Sequence, residues 1–243
     1  MKVAVVTTFS PKGYEVYGRR MVETFVANWP KDVWLHVFYE GEKPADADER
    51  AIWHSLDADQ DRAKFLEVHK DPPMGPNEWD YRQNIATYSH KVFAMTGAPR
   101  DCDYLLWLDA DSETIAKVQE EFLPKIVSDR HVATYLGRPW WRHSETGYIA
   151  FNMKAHGSEF LDDLRMLYTG GIIATLKEKH DCWAFDHVRV KWERNGFRFH
   201  NLCADAHGID VFSQTPLGLI MKHNKGPNEK MRAYGNAMLP GAA

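Results

Sequence analysis

The sequence predicts a single-domain α/β protein built on a parallel sheet covered by helices. Three observations lead there. Strand and helix signals alternate through the first half, the order that parallel sheets with helical crossovers require. A five-residue apolar run, Tyr104-Leu105-Leu106-Trp107-Leu108, lies mid-chain and reads as a strand buried on both faces. The 243 residues carry their apolar side chains evenly, enough for one large core without staples.

Taken in order, residues 3–8 form an apolar first strand. Ser10-Pro11 then has the form of an N-cap followed by proline at the first helical position. Met21, Val22, Phe25, Val26 and Trp29 make the apolar stripe of the helix that follows. Residues 33–39 read as a second strand, the acidic stretch 41–49 with Pro44 as a loop, and residues 65–69 as a third short strand. Asp71-Pro72-Pro73-Met74-Gly75-Pro76 is a loop by composition. Tyr81, Ile85, Tyr88, Val92 and Met95 recur at helical spacing, predicting a helix over 79–95 that Gly97 and Pro99 end. Beyond the central strand, residues 118–127 read as helix, 131–136 and 147–152 as strands, and 160–168 and 183–194 as amphipathic helices, the last stopped by Asn195-Gly196. Residues 1–222 are thus expected to form the domain, with 223–243 a tail or lid that adds to its site.

Composition narrows the function classes. Three cysteines without C-x-x-C spacing indicate the reduced thiols of an intracellular protein, neither a disulfide frame nor a zinc site. The N-terminus lacks the long apolar region of a signal peptide, and no stretch approaches the roughly 20 apolar residues of a membrane span. A soluble, cytoplasmic protein with no membrane partner is expected. A net charge of −4 gives no global attraction to nucleic acid, so a polyanionic partner needs a local basic patch. Trp79, Trp140 and Trp141 fall outside the core patterns and serve either packing or a flat platform for a sugar or base.

The chemistry starts at the end of the central strand. Asp109 and Asp111 are spaced one residue apart, and because alternate residues of a strand point to opposite faces they are expected to share a side. Two hard oxygen ligands at the mouth of a buried strand suit a divalent cation that keeps positions open for phosphate.

This Asp-x-Asp strand stands between an N-terminal nucleotide-binding half and two later motifs. One is Glu145-Thr146-Gly147-Tyr148-Ile149-Ala150-Phe151-Asn152, the other Met221-Lys222-His223-Asn224-Lys225-Gly226. Together they resemble the nucleotide-sugar glycosyltransferases of the GT-A (Rossmann-like) fold, and in layout the group around glycogenin and the bacterial galactosyltransferases. The resemblance spans about residues 2 to 230. It implies a mixed, mainly parallel sheet flanked by helices and a metal-dependent hexosyltransferase with a UDP-sugar donor, in which Asp111 ligates the metal, Asp109 contacts ribose, metal or both, and His223 supplies an imidazole ligand. Oxygen ligation with one imidazole suits Mn²⁺ or Mg²⁺, tilted toward Mn²⁺.

Other residues take roles by the same likeness. Lys91, on the helix before the Asp-x-Asp strand, faces the donor. Arg82 is the alternative, and the nine positions between them put the two about half a turn apart on a regular helix. Thr7, Thr8 and Phe9 end the first strand, where α/β sheets bind nucleotides, although threonines there equally cap the next helix. Lys225 and Gly226 lie in the segment that closes over the diphosphate; Lys230 is displaced by one position from the pattern. Glu145 stands where relatives carry Asn or Ser beside the donor sugar. Asp186 lies toward the acceptor side as a candidate general base, or alternatively stabilises a helix N-terminus. Whether transfer inverts or retains stays open.

Competing readings are separable. A dehalogenase-type phosphatase needs Thr or Val at the position Glu113 occupies, on the first strand of its fold. A nucleotidyltransferase on the same fold would show a Gly-rich basic loop, of which Ser10-Pro11-Lys12-Gly13 is a poor version. A non-catalytic nucleotide-sugar-binding module would lack a metal ligand or the acceptor-side acid. The acceptor is a hydroxyl of a saccharide, a protein or a hydroxymethylated DNA base; Arg138-Pro139-Trp140-Trp141-Arg142-His143 has the composition to stack either a sugar or a flipped base.

Overall fold

A computed structural model describes residues 1–73, 80–138, 140–206 and 210–225. Strand β1 (Val3–Phe9) leads into a continuous helical segment, α1 (Pro11–Gly13), a π-helical turn (Tyr14–Gly18) and α2 (Arg19–Asn28). Its start is set by Ser10, whose side chain accepts from the Gly13 amide, with Pro11 in the first turn. β2 (Trp34–Tyr39) pairs parallel with β1, and β3 (Ala51–Ser55) parallel with β2.

Residues 65–69 are not a strand. Phe65 lies in helix α3 (Gln60–Val68), which Asp59 caps by accepting from the amides of Asp61 and Arg62. The third strand is β3, an edge strand in which Ala51 alone is buried, so it carries no apolar run to mark it. The helix expected over 79–95 also begins later: Tyr81–Gln83 form a 3₁₀ turn and α4 spans Ile85–Gly97, so Arg82 precedes the helix and Lys91 sits within it.

β4 (Tyr104–Leu108) is the centre of the sheet, and β5 (Ser112–Thr114) follows it immediately. The helix expected over 118–127 is a 3₁₀ segment, Glu120–Lys125, with Pro124 inside it, which removes the donor a regular helix needs. β6 (Ala133–Leu136), β7 (Glu145–Asn152), α5 (Gly157–Thr169), α6 (Asp181–Arg194), β8 (His200–Asn201) and β9 (Met221–His223) complete the order.

Seven strands form one sheet, β3-β2-β1-β4-β7-β6-β8, parallel except where β7 runs antiparallel to β4 and β6. Helices cover both faces, and the alternation of side chains shows it directly. Val3, Val5, Leu106, Leu108 and Tyr148 pack with Phe25 and Trp29 on one face. Ala4, Val6, Leu105, Trp107 and Ile149 pack with Phe93, Phe160 and Phe185 on the other. The apolar run of β4 thus has the cause inferred from it.

A second, two-stranded sheet pairs β5 antiparallel with β9, with Ser112 opposite His223. The boundary expected between residues 222 and 223 falls inside β9, and Gly226, Lys230 and the rest of the expected lid lie outside the described residues. No helix among the described residues is long and apolar enough to cross a membrane.

Candidate active site

β4 ends at Leu108, so Asp109 and Asp111 are brought together by a turn and not by strand alternation. The Asp109 amide still donates to Gly147 O at 2.9 Å, and the Ser112 amide donates back to Asp109 O at 3.0 Å. The first bond continues the β4–β7 ladder and the second closes the turn, leaving both carboxylates on the rim of the sheet.

The two oxygens of Asp109 are distinguished by their partners. Oδ1 accepts from Lys91 Nζ at 2.7 Å and from Trp107 Nε1 at 2.7 Å. Oδ2 instead faces His223, 3.9 Å from its Nε2. The same Nε2 lies 3.0 Å from Asp111 Oδ1. The β5–β9 pair is what carries His223 here, reinforced by the Asn224 amide donating to Asp111 O at 3.0 Å. Gly147 makes room, since a Cβ there would lie 2.7 Å from His223 Cε1.

Glu145 opens β7 and is buried. Its Oε2 pairs with Lys225 and lies 3.3 Å from Arg138 Nη1, while Oε1 accepts from the Gly147 amide at 3.1 Å. Burial pushes this carboxyl up, but Lys225, His223 and Arg138 outweigh it and hold the pKa below the ordinary value. His223 is raised: burial lowers it, and the charges of Asp111, Glu145 and Asp109 more than reverse that. Asp109, Glu145 and His223 each offer a ligand atom within 4.8 Å of the others. His223 thus meets Asp111 and faces Asp109, with Glu145 alongside. The carboxylates of Asp109 and Asp111 with the His223 imidazole form an oxygen-rich donor set that fits Mn²⁺ or Mg²⁺, while Glu145 is held by Lys225 and Arg138.

Lys91 is buried and held by two acids. Besides Asp109, its Nζ lies 2.7 Å from Asp181 Oδ2 and donates to Thr146 O at 2.7 Å. Asp181 also accepts from Thr146 Oγ1 at 2.6 Å. Burial raises the Asp181 carboxyl, yet the Lys91 charge and these hydrogen bonds hold it well below the usual carboxylate range. Asp181 was not among the residues expected. The signal for it is an acid in the first turn of α6, which begins at residue 181 and not at 183.

Two cavities meet at these carboxylates. One of about 460 Å³ is lined by Thr8, Phe9, Lys91, Asp109 and Asp111, at the carboxyl end of β1. Another of about 550 Å³ continues past Asp109 and Asp111 to Glu145, Asp181, Trp141 and Lys225. Thr8 is fixed by donating to Phe38 O at 2.6 Å. Thr7 is fully buried and does not line either cavity.

Asp186 stands apart from this group. It lines a separate cavity of about 260 Å³ with Arg138, Trp141 and Arg189. Its carboxylate accepts from the Ser144 amide at 2.8 Å, from Ser144 Oγ at 2.7 Å and from Arg189 Nε at 3.1 Å. Arg82 donates to Asp80 at 2.6 Å and lines neither of the two joined cavities.

No family model matches the chain, and no curated protein matches it. Solved structures do. The galactosyltransferase LgtC, in complex with donor and acceptor sugar analogs, is 12% identical over 96% of this chain and 92% of its own, with a TM-score of 0.52. A glycosyltransferase involved in glycosylating the major capsid of PBCV-1 is 11% identical over 96% and 97%, at 0.51. Mouse xyloside xylosyltransferase 1 is 12% identical over 89% and 94%, at 0.50. The shared architecture is the GT-A fold, here a single α/β domain with a mixed, mainly parallel seven-stranded sheet.

Proposed function

We propose that this protein is a metal-dependent glycosyltransferase that moves a hexose from a UDP-sugar to a hydroxyl acceptor. The observation that carries the reading is the junction of two cavities at Asp109 and Asp111, with His223 delivered to the same point by β9. Support comes from the fold shared with LgtC, whose structure holds donor and acceptor sugar analogs.

The nucleotide occupies the cavity beside Thr8 and Phe9, where open α/β sheets bind such ligands. Asp109 Oδ2, Asp111 and His223 hold a divalent cation, Mn²⁺ by preference, which when bound supplies Lewis-acid stabilisation of the diphosphate leaving group. Lys91 does not reach phosphate as a free cation. Tied to Asp109 Oδ1 and Asp181, it fixes which oxygen of Asp109 faces the metal position.

Glu145 stands at the sugar side of the junction, kept ionised by Lys225, His223 and Arg138. Lys225 is positioned to exchange this partner for phosphate when the donor binds. Asp186 acts at one remove, holding the Ser144 turn through two hydrogen bonds and so aligning the neighbouring Glu145. The acceptor, a hydroxyl of a saccharide, a protein or a hydroxymethylated DNA base, approaches through the larger cavity past Trp141. The test is turnover of UDP-glucose and UDP-galactose with Mn²⁺, by slow hydrolysis without acceptor and by labelled transfer to saccharide, protein and DNA pools. Activity should vanish in Asp111→Ala, and a wild-type protein that neither binds nor turns over a nucleotide sugar defeats the proposal.

A further inference from the structure

A second cluster of metal-binding side chains lies on the far wall of the larger cavity, with ligands distinct from those at Asp109 and Asp111. His143 precedes β7, Glu178 and His180 precede α6, and all three are buried. Each offers one ligand atom within 4.8 Å of the others. His143 Nε2 and His180 Nε2 lie 2.8 Å and 3.0 Å from the same Glu178 Oε2, and the two rings meet edge-on with centroids 4.6 Å apart at 73°.

Hydrogen bonding alone explains this geometry poorly. His143 Nε2 is sealed from solvent and, despite its closeness to Oε2, is not aligned to donate to it. Two ring nitrogens converging on one carboxylate oxygen is instead the arrangement of a ligand shell. Tetrahedral zinc with bonds of about 2.0–2.2 Å sets its ligand atoms roughly 3.3 Å apart, so each nitrogen needs to move away from Oε2 by only a few tenths of an ångström from 2.8 Å and 3.0 Å. Glu178 Oε1 is likewise buried without a hydrogen-bond partner, the Arg142 guanidinium 3.1 Å away supplying charge but no aligned donor.

We propose that His143, Glu178 and His180 form a zinc site whose fourth position opens into the 550 Å³ cavity, which His143 and His180 both line. Two imidazoles and one carboxylate with an open position are a known zinc donor set, softer than the oxygen-rich group at Asp109. The ion would tie the turn before β7 to the segment before α6, the two walls between which an acceptor enters. Another triplet, His180, Asp181 and Cys182, shares one member but is less suited, because Asp181 Oδ2 is taken by Lys91 and Thr146.

The experiment uses the full chain, stripped with chelator and titrated with Zn²⁺ by calorimetry and with Co²⁺ by visible absorption, where tetrahedral Co²⁺ gives intense bands. The double variant Asp111→Asn/His223→Ala removes the other donor set and should still bind one Zn²⁺, with a raised melting temperature. Glu178→Gln and His143→Gln, each checked for fold by circular dichroism, should weaken Zn²⁺ binding at least tenfold and lose the tetrahedral spectrum. Should Glu178→Gln not fold, His143→Gln decides. No Zn²⁺ binding in the double variant, or equal binding in the folded cluster variants, overturns the proposal. Because the readout is metal binding and not turnover, failure of the glycosyltransferase reading leaves this result separately interpretable.

Discussion

His223 Nε2 lies 3.0 Å from Asp111 Oδ1, although 112 positions separate the two residues in the chain. The β5–β9 pair accounts for the meeting: Ser112 is in register with His223, so each residue beside the pair is fixed by backbone hydrogen bonds. Replacing His223 by Ala should therefore remove a ligand without disturbing Asp109. Mn²⁺ affinity, read by calorimetry on protein checked for fold by circular dichroism, should fall by more than the roughly 10–100-fold that loss of an outer-shell partner brings.

Gly147 is a more indirect test of the same contact. A methyl group at this position meets His223 Cε1 at 2.7 Å, closer than packed carbon atoms tolerate, inside a strand buried along its whole length. Gly147→Ala should fold, because its backbone is ordinary strand, yet push His223 away from Asp111. The expected result is weaker Mn²⁺ binding and a lower kcat with a folded circular-dichroism spectrum.

Lys91 tests the buried ion pairs. Its ammonium neutralises Asp109 and Asp181 from 2.7 Å each, and Asp181 is buried. Lys91→Met keeps the chain length but strands the Asp181 carboxylate, a change that costs about 3–5 kcal/mol where a buried pair loses one member. Urea denaturation should show the loss, and adding Asp181→Asn to Lys91→Met should recover much of it.

The same pair sets an acid dependence. The Asp181 pKa is depressed in the folded state, burial being outweighed by Lys91 and Thr146. Its contribution to stability is thus fully present above the unfolded carboxylate value of about 3.9 and is lost as pH falls below that, toward the lower folded value. Asp181→Asn should be less stable than wild type at pH 7, with the gap narrowing in denaturation curves taken down toward pH 2. A gap that stays constant across that range contradicts the assignment.

How much of this was legible in the sequence depends on burial. β4 announced itself because a strand covered on both faces needs an unbroken apolar run, and Asp109 and Asp111 were conspicuous at its end. β3 leaves no pattern because it is an edge strand with one buried side chain, and α3 shows no helical period because only Arg62 and Phe65 are buried along it. Asp181 escaped for another reason. Its partners Lys91 and Thr146 lie on α4 and β7, and a pairing set by the packing of three elements has no local signature. His143, Glu178 and His180 share that property, since the turn before β7 and the segment before α6 meet only once the sheet is formed.

Trp141 offers the last test, on the acceptor side. The residue is 55% exposed, yet it lines both the 550 Å³ cavity and the cavity around Asp186, so it is held at the rim and not in the core. An exposed indole there suits stacking on the apolar face of a sugar or on a base, a contact of about 1 kcal/mol beyond area burial. Trp141→Ala removes no metal ligand and leaves the Thr8–Phe9 cavity intact. Hydrolysis of the donor without acceptor should stay near wild type, while KM for the acceptor should rise roughly fivefold with kcat less affected. A loss of hydrolysis equal to the loss of transfer would place Trp141 with the donor instead.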